Sequence, residues 1–272
     1  MRRLLNTNRN LWVSIVALTV TVSLIGCSGP TVPEAREETP APEDAAPGEE
    51  KAPPAEEAVQ KGPDEVLRHA VFFSFKETSS EGDIKTVVDA FVGLPLLVNE
   101  IIDFQWGTNN SPEGFDDGFT HCFLLTFKDE AGRAAYLPHA AHKAFGDVLG
   151  PHMDKVFVVD YWGKKGDVEI EKELKHAVFF KFKDGAKPEE VKAVEEAFAA
   201  LPSKIENIRG FEWGINNSPE KHSHGFTHCF MVTFGSEEDR AAYLPHADHK
   251  AFVEVLTPVL DKARVLDFWE GE

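Results

Sequence analysis

One segment of this chain recurs without a gap. AYLPHAAHKAF occupies residues 135–145 and AYLPHADHKAF occupies 242–252, an offset of 107 residues. The match extends over 69–162 and 176–269, with about half of the positions identical. HAVFF opens both copies, WG-x-NNSPE, GFTHCF and RAAYLPHA-x-HKAF follow in order, and an aromatic–Trp pair closes each. Self-similarity at a fixed period sets the architecture before any local reading does: two copies of one small domain.

Each copy reads as β-α-β-β-α-β. Residues 66–76 are rich in β-branched and aromatic side chains and predict a strand. Val87, Val88, Phe91 and Leu94 share one stripe of a helix over 84–98. In the second copy Lys187-Pro188-Glu189-Glu190 is a helix start, with Pro and acids in the first turn. Strands are expected at 101–107, 119–128 and 155–162, a loop at 109–118, and a helix over 130–149 interrupted at Pro138. This order is the ferredoxin-like pattern, an antiparallel sheet with both helices on one face.

The strands are apolar on both faces. His69, Val71, Phe73 and Phe75 alternate with Ala70, Phe72 and Ser74, and His121, Phe123, Leu125 and Phe127 alternate with Cys122, Leu124 and Thr126. Helices can cover one face, so the other requires a second sheet. The expected fold class is therefore α+β, with two ferredoxin-like β-α-β-β-α-β repeats packed sheet to sheet. The chain becomes an intramolecular pseudo-dimer, expected as a monomer, with repeats at 66–163 and 175–270 and a linker at 164–174.

Each copy resembles the stress-responsive A/B barrel (Dabb) family of dimeric α+β barrels. The resemblance rests on HAVFF with a following FK, the WG-x-NNSPE loop, the GFTH strand and the Tyr-x-x-His-x-x-His segment. It covers both repeats and leaves out roughly the first 65 residues. It implies the barrel fold and a stress-associated role, and it does not fix an activity, because one fold hosts many functions.

Eight of the eleven histidines form four repeat pairs: His69/His176, His121/His228, His139/His246 and His142/His249. His69 and His121 share strand parity with the large apolar residues, and Tyr136, His139 and His142 surround the helix break. Convergence under the helix layer would give an apolar pocket with imidazoles and a phenol, groups suited to proton transfer and oxyanion binding. The same histidines can equally serve as backbone hydrogen-bond partners. The resemblance to a plant polyketide cyclase of the family implies Tyr136 and His142, with Tyr243 and His249, as catalytic residues. There the His is general base for an aldol-type closure and the Tyr holds substrate. It also implies His69, His121, His176 and His228, with His139 and His246 beside them, as pocket residues. Pro138 and Pro245 precede the middle His, where the family more often has Pro after it, which bears on how His142 and His249 aim.

His222, His224 and His228 have spacing compatible with a transition metal. The first copy has Phe115 and Asp117 at the first two of these positions, so mobile exposed histidines are the competing reading, and no metal or other cofactor is expected. Cys122 and Cys229 occupy the same repeat position on the face assigned to sheet packing. The exported location expected below permits a disulfide between them; buried free thiols fit the strand context better.

The N-terminus carries a different message. Basic residues precede an apolar run over 11–25, which ends in Leu24-Ile25-Gly26-Cys27. This reads as a secretory signal over 1–26 and resembles a bacterial lipobox, which implies lipid on Cys27 and attachment to the cell-envelope membrane, periplasmic or outer-surface side. Residues 27–65 are rich in Pro, Ala and Glu and lack large apolar side chains, so they read as a disordered acidic tether. The formal net charge of −18 argues against non-specific nucleic-acid binding. Two function classes remain: an anchored module binding a small apolar molecule or a protein, and an acid–base enzyme, cyclase- or monooxygenase-like, using the Tyr/His pairs.

Overall fold

The computed structural model describes residue 62, residues 64–164 and residues 172–271. The readings made for the signal, for Cys27, for nearly all of the tether and for most of the linker lie outside the described residues.

The first repeat runs β1 (Glu65–Phe75), α1 (Glu81–Val92), β2 (Ile101–Thr108), β3 (His121–Phe127), α2 (Glu130–Tyr136), α3 (Ala140–Leu149) and β4 (Met153–Lys164). The second runs β5 (Leu174–Phe182), α4 (Pro188–Ala199), β6 (Gly210–Ile215), β7 (His228–Phe234), α5 (Glu237–Tyr243), α6 (Ala247–Leu256) and β8 (Leu260–Trp269). The two sheets are antiparallel and equivalent, in strand orders β2-β3-β1-β4 and β6-β7-β5-β8.

Local chemistry sets the helix ends. Ser80 caps α1 reciprocally with Asp83, a start three residues earlier than the apolar stripe alone suggests. The helix expected over 130–149 with an interruption at Pro138 is two helices. A proline at 138 has no N–H for the helix ladder, and its ring would collide with the carbonyl of residue 134. The chain therefore turns through Leu137-Pro138-His139, and α3 restarts with His139 as its cap.

Three apolar layers result. Val71, Phe73, Phe123 and Phe127 pack against α1 and α3 through Phe91, Phe145 and Leu149. The second repeat builds the same layer around Phe180, Phe198, Phe230 and Phe252. Between the sheets lie Ala70, Phe72, Cys122, Leu124 and Phe157 from one repeat and Ala177, Phe179, Cys229, Met231 and Leu266 from the other. Phe179 stands edge-on to Phe72 and to Phe157, at ring-centroid distances of 5.2 and 4.9 Å. Cys122 and Cys229 are buried free thiols in this layer.

The strand edges are closed by exchange between the repeats. The loop between β6 and β7 lies along the open edge of β4, with Asn217 N donating to Asp160 O at 2.8 Å and Val158 N to His222 O at 3.2 Å. The loop between β2 and β3 does the same for β8, through Asn110 N to Asp267 O at 2.8 Å and Val265 N to Phe115 O at 3.2 Å. Tyr161 Oη donates to Glu212 at 2.8 Å across the β4/β6 seam, where Glu212 also pairs with Arg68 Nε at 3.0 Å. Gly214 permits this approach: a Cβ there would sit 2.9 Å from the Tyr161 Cβ.

Truncating Phe179 removes a ring wedged between two rings of the other repeat. Phe179→Ala is expected to cost about 3–5 kcal/mol of unfolding free energy, measured by urea denaturation. A loss below ~1 kcal/mol would mean that the inter-sheet layer does not hold the repeats together.

Candidate functional site

The site of the first repeat begins with a buried acid. Asp160 lies in β4 directly opposite His69 of β1 and is fully buried. His69 Nδ1 donates to one carboxylate oxygen at 2.7 Å, and the Arg133 guanidinium donates to the other at 2.7 Å. Arg133 also reaches across the repeat boundary to the Asn217 backbone oxygen and side-chain oxygen, at 3.1 and 2.8 Å. Arg133 and Tyr136 sit three apart on α2, so one face of that short helix delivers both inward.

Burial alone would push the His69 imidazole down. The Asp160 carboxylate outweighs burial, and Glu220 adds to it, so the value lies above the ordinary 6.5. Burial likewise opposes ionisation of Asp160, and His69 with Arg133 overcome it, holding the carboxyl below the ordinary 3.8. The phenol of Tyr136 is pushed well up by burial and then by Glu220 and Asp160, so it is a donor at every physiological pH.

Beside these groups is a cavity of about 300 Å³. Phe73, Phe91, Phe145 and Leu149 supply apolar wall; His69, Tyr136, His142, Lys143, Glu220 and His222 supply its polar groups. The last two come from the second repeat. The His142 ring lies 4.3 Å from the Tyr136 ring, centroid to centroid. Its Nδ1 is 2.9 Å from the Leu137 carbonyl oxygen, which can only accept, so Nδ1 carries the proton. In neutral His142 the free lone pair is then on Nε2. The second repeat repeats the arrangement around about 150 Å³, with His176, Tyr243 and His249, and with Glu113 and Phe115 from the first repeat. His176 pairs with Asp267 at 2.7 Å, and Arg240 holds the same carboxylate at 2.7 Å. His249 Nδ1 lies 3.0 Å from Leu244 O, and burial pushes its imidazole down.

The remaining sequence candidates lie elsewhere. His139 and His246 cap α3 and α6, their Nδ1 atoms accepting from Ala141 N at 3.1 Å and Asp248 N at 3.2 Å, and they do not line the cavities. His121 and His228 share the helix-side face with His69 and His176 but stand further along the sheet. The strand partner of His69 is Leu125 and that of His176 is Val232. Four residues of strand separate each partner from His121 or His228, roughly 13 Å. His121 packs edge-on against Phe75, and His228 bonds Glu195 at 2.9 Å; neither lines the cavities. The three histidines considered for a metal face different surroundings. His222 lines the first cavity, His224 packs near Phe157, and His228 pairs with Glu195. Among the described residues no group of three or more His, Cys, Asp or Glu is placed to hold a metal ion.

Sequence reasoning missed the acid–arginine pairs and the glutamates donated across the repeats. Their signal was present: Asp160/Asp267, Arg133/Arg240 and Glu113/Glu220 all recur at the 107-residue offset, and the aspartates interrupt otherwise apolar strands.

The linked ionisations predict a stability window. His69, with its raised value, contributes stability below pH 6.5 that is lost as pH rises through its folded-state value. Asp160, with its depressed value, contributes above pH 3.8 and loses that contribution as pH falls through its folded-state value. The stability difference between the parent and H69F/D160N should therefore be greatest between these limits and shrink on both sides, measured by denaturation across pH. Asp160→Ala alone, which strands His69 and Arg133, should cost about 3–5 kcal/mol.

The comparisons with known proteins agree with this architecture. A stress-response A/B barrel domain-containing protein of Arabidopsis thaliana is 37% identical over 95 residues, covering 35% of this chain and 87% of that protein. Olivetolic acid cyclase of Cannabis sativa is 26% identical over 99 residues, covering 36% of this chain and 98% of the cyclase. The crystal structure of an anthrone oxidase-like protein superposes with a TM-score of 0.56 at 12% identity, over 77% of this chain and 93% of that one, a likeness of fold. The sequence profile of the Stress responsive A/B Barrel Domain matches residues 67–163 and again 174–270. The chain therefore belongs to the stress-responsive A/B barrel family, as a tandem of two such domains.

Proposed function

We propose that the protein is a small-molecule binding module. Each repeat takes up a compact, mainly apolar molecule, and in the second cavity its hydroxyl or carbonyl group is seated at the polar end. One observation carries this reading. At the second cavity the Tyr243 hydroxyl and, from the first repeat, Glu113 Oε1 are both buried without a hydrogen-bond partner. Burial pushes the Glu113 carboxyl up and the Tyr243 phenol well up. Buried polar atoms left unpaired are uncommon, and a ligand hydroxyl would satisfy both.

4-Propylphenol is a suitable probe. Calorimetric titration should give saturable binding to the full chain, and Y136F/Y243F should weaken it by about 5–10-fold, the loss of one hydrogen bond. Absence of saturable heat, or equal affinity in the variant, would count against the reading.

Acid–base catalysis is the second reading, favoured by the fixed tautomer of His142. Nε2 is left as the base beside a phenol that stays protonated, and the similarity to olivetolic acid cyclase supports the same pairing. In such a step His142 Nε2 takes a proton from carbon next to a carbonyl, the electron pair moves onto oxygen, and Tyr136 donates a hydrogen bond to the resulting enolate. Benzoylacetone in deuterated buffer tests it: exchange at the central carbon should exceed the buffer rate and return to it in H142A/H249A. Exchange at the buffer rate in the parent would remove the enzyme reading.

We also infer export and lipid attachment at Cys27, supported by the apolar run and the Leu-Ile-Gly-Cys sequence. In a bacterial host, labelled palmitate should enter the parent and be absent from Cys27→Ser. Equal labelling of both would place the lipid elsewhere.

A further inference from the structure

The two cavities are built from equivalent positions and yet differ in size and in the chemistry of the mouth. The first encloses about 300 Å³ and the second about 150 Å³. Exposed lining residues mark the mouth of each. In the first these are Lys143, Gly146 and His222. In the second, Val253 replaces Gly146 and Phe115 replaces His222, and both are exposed apolar side chains. Lys250, the counterpart of Lys143, does not line the second cavity. An isopropyl group for a hydrogen and a phenyl for an imidazole narrow the opening and strip it of cationic and donor groups.

One of these mouth residues comes from the opposite repeat. His222 reaches the first cavity because the β6–β7 loop is held along β4 by the Val158–His222 backbone bond. The same loop brings Glu220, whose Oε2 is buried 3.7 Å from His69 Nε2. That carboxylate therefore faces His69 at the inner end, leaving Lys143 and His222 to determine the charge at the mouth.

We propose that the first cavity takes an amphiphilic carboxylate, with its apolar body among the phenylalanines and its anionic group between Lys143 and His222. The second cavity admits only smaller, uncharged molecules. This rests on the binding reading above and divides the labour between the two repeats.

Methionine supplies a local reporter. Of the three methionines in the chain, Met153 lines the first cavity and Met231 lies in the inter-sheet core. With the methionine methyl groups carbon-13 labelled, octanoate and octan-1-ol form a pair matched in chain length. Octanoate should move the Met153 resonance saturably, leave Met231 in place, and bind about 5-fold more tightly than octan-1-ol, as expected for one partly exposed ion pair. K143A/H222F should lose that preference while still binding octan-1-ol, with Met231 unmoved as the sign of an intact fold. F115H/V253G should gain a second octanoate equivalent by calorimetry. Equal response to both probes in the parent, or a preference that survives K143A/H222F, overturns the proposal and leaves the binding reading standing. No response of Met153 and no heat with either probe overturns both.

Discussion

Each four-stranded sheet carries two apolar faces and its own helices cover one. The uncovered face holds Phe72, Leu124, Phe157 and Val159 in the first repeat and Phe179, Met231 and Leu266 in the second. Burying such rings and aliphatic chains contributes roughly 1.5–3 kcal/mol per side chain. Leaving them in water would make either repeat alone a strong self-associating surface. Sheet-to-sheet packing is thus the contact on which the remaining structure rests. It brings the β2–β3 and β6–β7 loops against the strand edges of the opposite repeat, where they close the barrel and complete the cavities.

That dependence explains why the sites straddle the repeat boundary. Asp160 receives His69 and Arg133 from its own repeat, while Asn216 and Asn217 of the other repeat bind its backbone and its arginine. The NNSPE loop therefore does two jobs with adjacent residues. Asn216 Oδ1 accepts from Ser218 N and from Asp160 N, each at 3.1 Å, which both shapes the turn and fastens it to β4. Glu220, two residues beyond Ser218, is then carried into the cavity. Loss of packing between the sheets would remove the cross-repeat part of both sites together.

The fold was legible because its signals are periodic and duplicated. Strand alternation separated the helix-facing set from the inter-sheet set, and the two hydrophobic layers contain the residues that alternation assigns to them. The site was legible in part. Tyr136, His142 and His69 meet around one cavity, as strand parity and the helix break suggest. His121 does not join them, since sharing a face fixes direction and leaves position along the strand open. His139 does not either, because a residue following proline at a helix restart is drawn into capping the backbone. The Asp160–Arg133 pair and Glu220 depend on contacts across strands and across repeats, which no local period encodes.

Joining the two repeats in one chain also permits contacts that a symmetric dimer of either repeat would lack. Positions 157 and 264 are equivalent and touch each other: the Arg264 guanidinium lies 4.2 Å over the Phe157 ring. A residue that meets its own counterpart sits on the pseudo-twofold axis. In a dimer of the second repeat two buried arginines would face each other, and in a dimer of the first two phenylalanines would stack and leave Asp117 without this partner. Here one arginine is enclosed by Phe119, Phe157 and Phe226 and neutralised by Asp117, with two guanidinium nitrogens 2.7 and 3.0 Å from one carboxylate oxygen. His224 occupies the position equivalent to Asp117 and packs near Phe157. Cation–π contact and a paired charge together offset the desolvation of a single guanidinium. The same freedom separates His222 from Phe115 and Gly146 from Val253: once the copies are covalently joined, each position of the barrel can change without changing its twin.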